Sequence, residues 1–279
     1  IIPKINSITS STANGSYTIG SAISINVNFS EPITLIGTMS VNLDSGGVAL
    51  ISAFTGTSAT GTYTVLAGHT SLDLTASSIT LNGTATDAVF NNLDLSLPII
   101  NIATASNIII DTTPPQISSI ISTTPNGAYP IGQLIAIKIN FSEPITLIGT
   151  MDLNLDSGGL VVINSFSGTT ATGIYTVLAG QNSPDLSVTG VTVSGTASDM
   201  ATNALVLTLP VTNINTGSDI IIDTISPVIT SITSLTADGV YKAGSNISVR
   251  INFSESITLI GTMGVNLDTS GVVEISAYK

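Results

Sequence analysis

The sequence contains no cysteine and no tryptophan, and it has a single histidine. Without cysteine, disulfide bonds, thiolate metal sites and cysteine nucleophiles are excluded. No G-x-S-x-G or Walker-type glycine motif occurs. Aromatic residues make up only 4% of the chain, which leaves little to stack on sugars in a glycoside hydrolase. These absences indicate that the protein is not an enzyme.

The single histidine fits the same interpretation. The chain contains internal repeats, described below, and the residue that corresponds to His69 in the second repeat is Gln181. One imidazole cannot form a repeated catalytic site, so we expect His69 to be a solvated loop residue.

Positive charge is also scarce. Five basic residues stand against 17 acidic ones, for a net charge of −12, yet only 8% of the residues are charged. No basic stripe is available for nucleic acid, and an acidic surface disfavours anionic membranes. No apolar run approaches the roughly 18 residues that a membrane-spanning helix needs. We therefore expect neither a nucleic-acid partner nor membrane insertion.

The chain is an internal duplication. The segment NFSEPITLIGTM at 28–39 returns at 140–151, and it returns as NFSESITLIGTM at 252–263, always 112 residues further on. We therefore divide the chain into repeat 1 (1–112), repeat 2 (113–224) and a partial repeat 3 (225–279). About 60% of the positions are identical between repeats 1 and 2. A period near 110 is too long for a solenoid unit and suits a β-sandwich domain of about 100 residues.

Within a repeat, the pattern predicts short strands and no helix. Hydrophobic residues make up 43% of the chain, and alternating stretches are bounded by turn residues every 8–12 positions. The strands of repeat 1 are expected at 4–10, 22–29, 38–43, 48–54, 61–68, 77–83, 93–98 and 107–111. The sequence therefore predicts an all-β fold of tandem β-sandwiches.

The junctions between repeats contain proline. They read IDTTPP (110–115) and IDTISP (222–227), with no flexible Gly/Ser linker between the repeats. Proline restricts itself and the preceding residue to extended conformations, so we expect the sandwiches to form a stiff end-to-end rod.

Acidic residues recur at the 112-residue interval, whereas no basic residue recurs as the same residue type. The recurring positions are Glu31/Glu143/Glu255, Asp44/Asp156/Asp268, Asp73/Asp185, Asp87/Asp199 and Asp111/Asp223. Carboxylates that lie close together need a counter-charge, and Ca²⁺ takes six to eight oxygen ligands from loops of this composition. We therefore predict a calcium site in each full repeat.

The predicted calcium ligands lie at the ends of the expected strands, and Asp73 and Asp185 are further candidates. One set is Glu31, Asp87, Asn91 and Asp111, and the other is Glu143, Asp199, Asn203 and Asp223. Duplication copies every residue, so recurrence alone does not establish a site. Asp44 begins a DSGG turn and is interpreted as structural, and Asp111 as a turn residue before proline is the alternative to a ligand.

These motifs resemble a known class of repeats. The pattern G.Y.IG..I.I...FSEPI...G...LNLDSGG, followed by YTVLAG..S.DL, G.A.D...N and IIIDT..P, is similar to the tandem bacterial Ig-like repeats of large surface and secreted proteins, including adhesin stalks and S-layer-type proteins. The resemblance implies Greek-key β-sandwiches, export to the cell surface and calcium at loops or domain junctions. Such repeats commonly have glycine before the asparagine of the D..GN element, and the stretches 87–92 and 199–203 lack it.

Two functions are consistent with these features. The first is a structural module of an extracellular bacterial surface protein or filament, stiffened by calcium at the junctions and assembling with itself or with neighbouring repeats. The second is an adhesin module whose loops bind a receptor or a glycan. Because the loops repeat together with the domains, the structural role is favoured. We expect the partial repeat to be a truncated view of a longer chain, and completion by a neighbouring subunit is the alternative.

Overall fold

The computed structural model describes residues 1–278. Strands make up 57% of the chain and helix 3%, which confirms the predicted all-β class. The chain divides into two compact units, of which the first spans Ile1–Ile222 and the second begins at Asp223.

The first unit contains the same series of elements twice. Repeat 1 forms β1 (Ile5–Ser10), β2 (Gly15–Tyr17), β3 (Ala22–Leu43), β4 (Val48–Thr64), β5 (Ala76–Thr86), α1 (Ile102–Ala105) and β6 (Ile108–Ile110). Repeat 2 forms β7 (Ile117–Ser122), β8 (Gly127–Tyr129), β9 (Leu134–Leu155), β10 (Leu160–Thr176), β11 (Val188–Ser198), α2 (Ile214–Gly217) and β12 (Ile220–Ile222).

A long antiparallel ribbon organises each repeat. In repeat 1, β3 pairs with β4 along its length, and its other edge pairs with β1 in the first half and with β5 in the second. The predicted strands 22–29 and 38–43 are therefore parts of one strand, and their separation was wrong. The pairing with β4 shifts register between Asn28 and Ile33, so a bulge carries the strand past Pro32 without ending it.

The ribbon wraps around a hydrophobic core. Alternate residues of β3, from Ile23 to Leu43, belong to a single buried cluster that also includes residues of β1, β5 and β6. Both halves of β3 therefore present one face to the same interior, as the period-2 side-chain alternation of a strand allows. Repeat 2 has its own cluster between Ile117 and Ile222, and the two clusters share no residue. The predicted boundary at 112/113 falls between these two cores.

The prediction of no helix was wrong for two single turns. In α1, Asn101 caps the helix by accepting from the Ile102 amide at 2.8 Å, and the Thr104 hydroxyl accepts from the Asn101 amide at 3.0 Å. The Asn101 side chain also bonds to both backbone groups of Ala76, which fixes the turn to β5. None of the helices in residues 1–278 is long and apolar enough to span a membrane.

Short parallel pairs complete each repeat. Strand β2 pairs with β6 through Gly15–Ile108, Ser16–Ile109 and Tyr17–Ile110, and β8 pairs with β12 in the same way. The pair joins an early segment of the repeat to its last strand.

Two glycines allow β3 and β5 to approach closely. A Cβ atom on Gly37 would lie 2.1 Å from the Asn82 carbonyl oxygen, and one on Gly83 would lie 1.9 Å from the Ile36 oxygen. The pair recurs at Gly149 and Gly195 in repeat 2. Side chains would separate the strands at this crossing.

The second unit contains four strands and has no buried residue between 223 and 277. Strand β13 (Ile229–Ser234) pairs with β14 (Val249–Phe253), and β15 (Leu259–Asn266) pairs with β16 (Val272–Tyr278), both antiparallel. These strands correspond to β1 and to the two halves of the β3–β4 ribbon.

We expect Gly37→Ala to destabilise repeat 1 by roughly 3 kcal/mol or more. The new methyl group would clash with the backbone of β5, and alanine is also strained at φ = +94°. The matched control is Gly20→Ala, where φ is +86° and no atom lies within 4 Å of the added Cβ. That variant should lose only about 1–2 kcal/mol. Hydrogen exchange of 22–64 measures the effect, with 134–176 as the internal reference. Equal losses in the two variants would contradict the close crossing.

Candidate metal centre

Three carboxylates meet where the two full repeats adjoin. Asp111, Glu143 and Asp199 each offer an oxygen, and these ligand atoms all lie within 4.8 Å of one another. Within residues 1–278, no other group of three or more acidic, histidine or cysteine ligands is this close. Asp111 comes from the end of repeat 1 and the other two from repeat 2, so the cluster links the repeats. We call these three residues the seam cluster.

Backbone contacts on both sides fix Asp111. It follows β6, and its amide donates to the Tyr17 carbonyl at 3.0 Å, which extends the parallel pairing of β2 and β6. Its Oδ1 accepts from the Thr113 amide at 2.9 Å, in the turn that precedes the prolines. The carboxylate is therefore held at the exit of repeat 1.

Glu143 lies inside β9 at the bulge, not at a strand end as the sequence suggested. The pairing of β9 with β10 shifts register between Asn140 and Ile145, which displaces Glu143 from the regular ladder. The preceding residue, Ser142, is tied to Gln116 by two bonds, from the Ser142 amide to the Gln116 oxygen and from the Gln116 amide to the Ser142 hydroxyl, both 2.9 Å. This serine anchors the first strand of repeat 2 beside the glutamate.

Asp199 follows β11 and is 7% exposed. Its Oδ1 accepts from the Asn203 amide at 2.8 Å, and its Oδ2 accepts from Asn203 Nδ2 at 2.8 Å. The five-residue turn therefore closes on the aspartate side chain.

Asn203 joins the two repeats directly. It is 7% exposed, and its Nδ2 also donates to the Asp111 carbonyl at 3.0 Å. Its Oδ1 accepts from the Thr18 hydroxyl of repeat 1. The amide therefore bonds to Asp199 in its own repeat and to Thr18 and Asp111 in the preceding one, and it positions two members of the seam cluster.

The electrostatics of the seam cluster are unfavourable to three free carboxylates. Burial raises the pKa of Glu143, and the nearby negative charges of Asp111 and Asp199 raise it further. A cation bound between the three carboxylates would offset the effect of the Asp111 and Asp199 charges and would lower the pKa of Glu143, because a positive charge favours the ionised carboxylate.

The structure regroups the predicted ligands. The sequence placed Asp111 with Glu31, Asp87 and Asn91, but Asp111 lies with Glu143 and Asp199 instead. The reason is the short, proline-containing junction after Asp111, which leaves the end of repeat 1 bonded to the Asn203 loop of repeat 2. Asp223 corresponds to Asp111, belongs to the second unit and accepts from the Ile225 amide at 2.9 Å.

The corresponding residues of repeat 1 form a partial version of the site. Asp87 Oδ2 accepts from Asn91 Nδ2 at 2.7 Å, and Asn91 Nδ2 also lies 3.4 Å from the Ile1 carbonyl oxygen. Burial alone would raise the pKa of Asp87, but bonds from Asn91 and Val89 and the positive N-terminus lower it overall. Glu31 is half-buried in the bulge of β3.

The remaining candidates lie outside the seam cluster. Asp73 is exposed, whereas Asp185 is half-buried and its amide donates to the Ser183 hydroxyl. The Oδ1 atom of Asp185 is buried with no hydrogen-bond partner among the described residues. Asp44 accepts from the Ser71 hydroxyl and the Thr75 amide, so it fixes the DSGG turn to a neighbouring loop, in keeping with a structural role.

His69 lies in a loop, as expected, but it is half-buried and hydrogen-bonded and not fully solvated. Its Nδ1 lies 2.9 Å from the hydroxyl of the buried Tyr63 and 3.3 Å from the Leu66 amide. In repeat 2, Gln181 Oε1 accepts from Tyr175 and from Leu178 in the same arrangement, both at 2.8 Å. The two side chains serve one structural purpose, which sequence alignment alone did not reveal.

The loops at 87–92 and 199–203 each place one non-glycine residue at positive φ. Phe90 and Thr202 stand before the asparagine, and they adopt φ values of 64° and 71°. Side chains rarely adopt this region, and a β-branched residue pays most for it. The turn therefore persists at the cost of local strain.

Comparison with protein-family models and with curated proteins gives no significant match.

We expect Thr202→Gly to stabilise repeat 2 by about 1 kcal/mol, because glycine adopts φ = +71° without strain. Met200→Gly is the control in the same turn, since Met200 is 84% exposed and is not at positive φ. The control should destabilise repeat 2, because glycine at position 200 gives the unfolded chain more conformational freedom to lose on folding. Urea unfolding followed by hydrogen exchange of 188–222 measures both, and a destabilised Thr202→Gly variant would contradict the assignment.

We expect Glu143→Gln to stabilise the metal-free protein at neutral pH. The pKa of Glu143 is higher in the folded state than in the unfolded state. Below the unfolded-state pKa the protonated side chain therefore stabilises the fold. This stabilisation is lost as the pH rises through the folded-state pKa and Glu143 ionises. The variant should therefore melt higher than the wild type at pH 7 in EDTA, and the difference should vanish in acid. Glu31→Gln is the matched control, and an equal gain there would count against repulsion at the seam cluster.

Proposed function

We propose that the chain is a structural repeat module of an extracellular bacterial surface protein or filament, in which calcium at the seam cluster stiffens the junction between Ig-like repeats. The observation that carries the proposal is the convergence of Asp111 from one repeat with Glu143 and Asp199 from the next. A cation bound there would couple the two repeats, because its ligands come from both.

The chemistry of the cluster suits calcium. Three carboxylates supply up to six oxygen atoms, and Ca²⁺ takes six to eight hard oxygen ligands in a flexible geometry. The site has no cysteine or histidine to favour a softer metal. Asp111, Glu143 and Asp199 would hold the ion, and Asn203 would position Asp199 and the Asp111 backbone.

The direct contacts at the junction support the same role. Asn203 bonds to Thr18 and to the Asp111 carbonyl across the junction. Pro114 and Pro115 limit the backbone freedom of the connecting segment. A spacer needs this combination of short connection and cross-repeat bonding, whereas a flexible tether would have neither.

The duplication supports a spacer over a binding tip. Both full repeats carry the same series of elements and a core of corresponding residues, as a repeated spacer would. In this proposal the protein acts outside the cell, where calcium sites of modest affinity are used. Its partners are neighbouring repeats or further copies of the same protein.

We expect calcium to raise the stability of the unit Ile1–Ile222 and Glu143→Gln to abolish this response. At a free calcium concentration one hundred times Kd, the gain is about 2.7 kcal/mol. Melting of the full chain in calcium and in EDTA measures the gain. Tyrosine-sensitised terbium emission gives an independent reading of binding.

Glu31→Gln serves as the control, because it removes the corresponding carboxylate outside the seam cluster. It should leave the calcium response and the terbium emission intact. The same response in wild type and Glu143→Gln, or none in wild type, would contradict a calcium site at the seam cluster.

A further inference from the structure

The loop 65–71, here called the His69 loop, is bonded to the last residue of repeat 1. The Gly68 amide donates to the Thr112 hydroxyl at 3.1 Å, and that hydroxyl donates to the His69 carbonyl oxygen, also at 3.1 Å. The buried Thr112 side chain is therefore held between two backbone groups of the loop. Because Thr112 directly follows Asp111, the loop contacts the chain where it passes from repeat 1 to repeat 2.

The His69 side chain holds this loop closed. Its Nδ1 accepts from the Leu66 amide at 3.3 Å and lies 2.9 Å from the Tyr63 hydroxyl. The His69 amide donates to the Leu66 carbonyl at 3.1 Å, so these two residues are bonded in both directions. The closed loop therefore depends on one ring nitrogen that accepts hydrogen bonds.

A directed chain of hydrogen bonds ends at this nitrogen. The Gly47 amide donates to the Ser45 hydroxyl, and the Ser45 hydroxyl donates to the Tyr63 hydroxyl. The Tyr63 hydroxyl then donates to Nδ1 of His69, and burial raises the pKa of Tyr63, so the phenol keeps its proton. Every bond in the chain points towards His69, which accepts at Nδ1 only while that atom is unprotonated.

Repeat 2 contains the same loop with an acceptor that does not titrate. Gln181 Oε1 accepts from the Leu178 amide and from the Tyr175 hydroxyl, both at 2.8 Å, while Gln181 Nε2 donates to the Gly158 carbonyl at 3.3 Å. An amide oxygen only accepts, so it identifies the role that His69 Nδ1 has in repeat 1. At this position the two loops differ by one titratable group.

Protonation would change His69 Nδ1 from an acceptor to a donor. The Tyr63 hydroxyl can rotate to accept from the protonated ring, but the Leu66 amide can only donate. Two N–H groups would then face each other, and the Leu66 amide would lose its partner, which favours opening of the loop. An imidazole in water takes up a proton at about pH 6.5, so mild acid is sufficient for this change.

We propose that the His69 loop is a pH-sensitive switch that acts on the linker after repeat 1. With Nδ1 unprotonated, the loop is closed and holds the Thr112 hydroxyl. When the ring takes up a proton, the Leu66 bond breaks and the loop releases Thr112. Repeat 2 carries the same loop without the switch. The inference goes beyond the proposed structural role and does not depend on calcium.

Carboxylates lie near the His69 loop on three sides. Asp44 belongs to the DSGG turn, where a Cβ on Gly46 would lie 3.8 Å from His69 Cδ2, and it accepts from the Ser71 hydroxyl at the end of the loop. Asp111 precedes Thr112, and Asp73 follows the loop in the chain. Together with Tyr63 these groups have counterparts at the same positions of repeat 2: Asp156, Asp223, Asp185 and Tyr175. The Gln181 loop is therefore the internal reference for their titration.

The test is an NMR titration of the full chain in EDTA, from about pH 8 to about pH 4.5. We expect the Leu66 and Gly68 amide signals to shift in step with the His69 ring signals. Solvent exchange of these two amides, corrected for its intrinsic pH dependence, should become about fivefold faster or more once the ring is protonated. The Leu178 amide should show neither effect.

Two reciprocal substitutions give matched variants. His69→Gln provides repeat 1 with the acceptor of repeat 2, so the Leu66 response should disappear while the loop stays closed. Gln181→His places a titratable acceptor in repeat 2 and should transfer the response to Leu178. Because the response is lost in one variant and gained in the other, a general loss of stability cannot produce both results.

Three results would overturn the proposal. The first is a Leu66 signal that does not follow the His69 titration. The second is a response that persists in His69→Gln, which would assign it to the neighbouring carboxylates, and the third is an equal response of Leu178 in the wild type. Glu143→Gln separates this switch from the metal site, since it should abolish the calcium response and leave the Leu66 titration intact.

Discussion

The structure depends on one strand that keeps a single face buried through a bend. In β9, alternate residues from Ile135 to Leu155 remain in one core, although the ladder to β10 shifts register in the middle. The bulge absorbs the change of direction, and the Gly149–Gly195 crossing lets the outer strand follow. Because Glu143 occupies this bulge, the feature that closes the sandwich-like core also presents a carboxylate to the preceding repeat.

The seam between the repeats combines attraction and repulsion within a few ångströms. The Asn203 amide supplies neutral hydrogen bonds to Thr18 and to the Asp111 backbone, while Asp111, Glu143 and Asp199 place like charges together. The hydrogen bonds of Asn203 hold the geometry, and charge repulsion between the carboxylates weakens it as the acids ionise. A cation bound between the three carboxylates would replace their mutual repulsion with attraction to the ion. The stability of the junction would then depend on the cations in the surrounding solution.

Most strand positions followed from the sequence because they depend on local alternation, but the predicted strand 93–98 was wrong: it forms only an isolated bridge at Asp94. The stretch 22–29 reads as a strand from its own residues, but nothing local shows that a bulge joins it to 38–43. The single turn α1 has no usual sequence signal, because its cap pairs Asn101 with Thr104, where glutamate or glutamine is the common partner.

The candidate site was predictable in composition and not in grouping. Recurrence of the acidic positions, without a basic residue of one type recurring beside them, marked Glu143, Asp199 and Asn203 from the sequence. The partner Asp111 could not be assigned, because its neighbours depend on how one repeat follows another in space. Positive φ at Thr202 was equally hidden, since it is imposed by the bonds that Asp199 and Asn203 make around it.

The parallel pairing of β2 with β6 has a mechanical consequence. Within a repeat, tension applied through the chain pulls β2 towards its beginning and β6 towards its end, along the strand axes. Since the strands run in the same direction, all hydrogen bonds between Gly15–Tyr17 and Ile108–Ile110 are loaded together in shear. They cannot open one after another as in an unzipping hairpin, so in each full repeat the backbone hydrogen bonds of this pair oppose extension together.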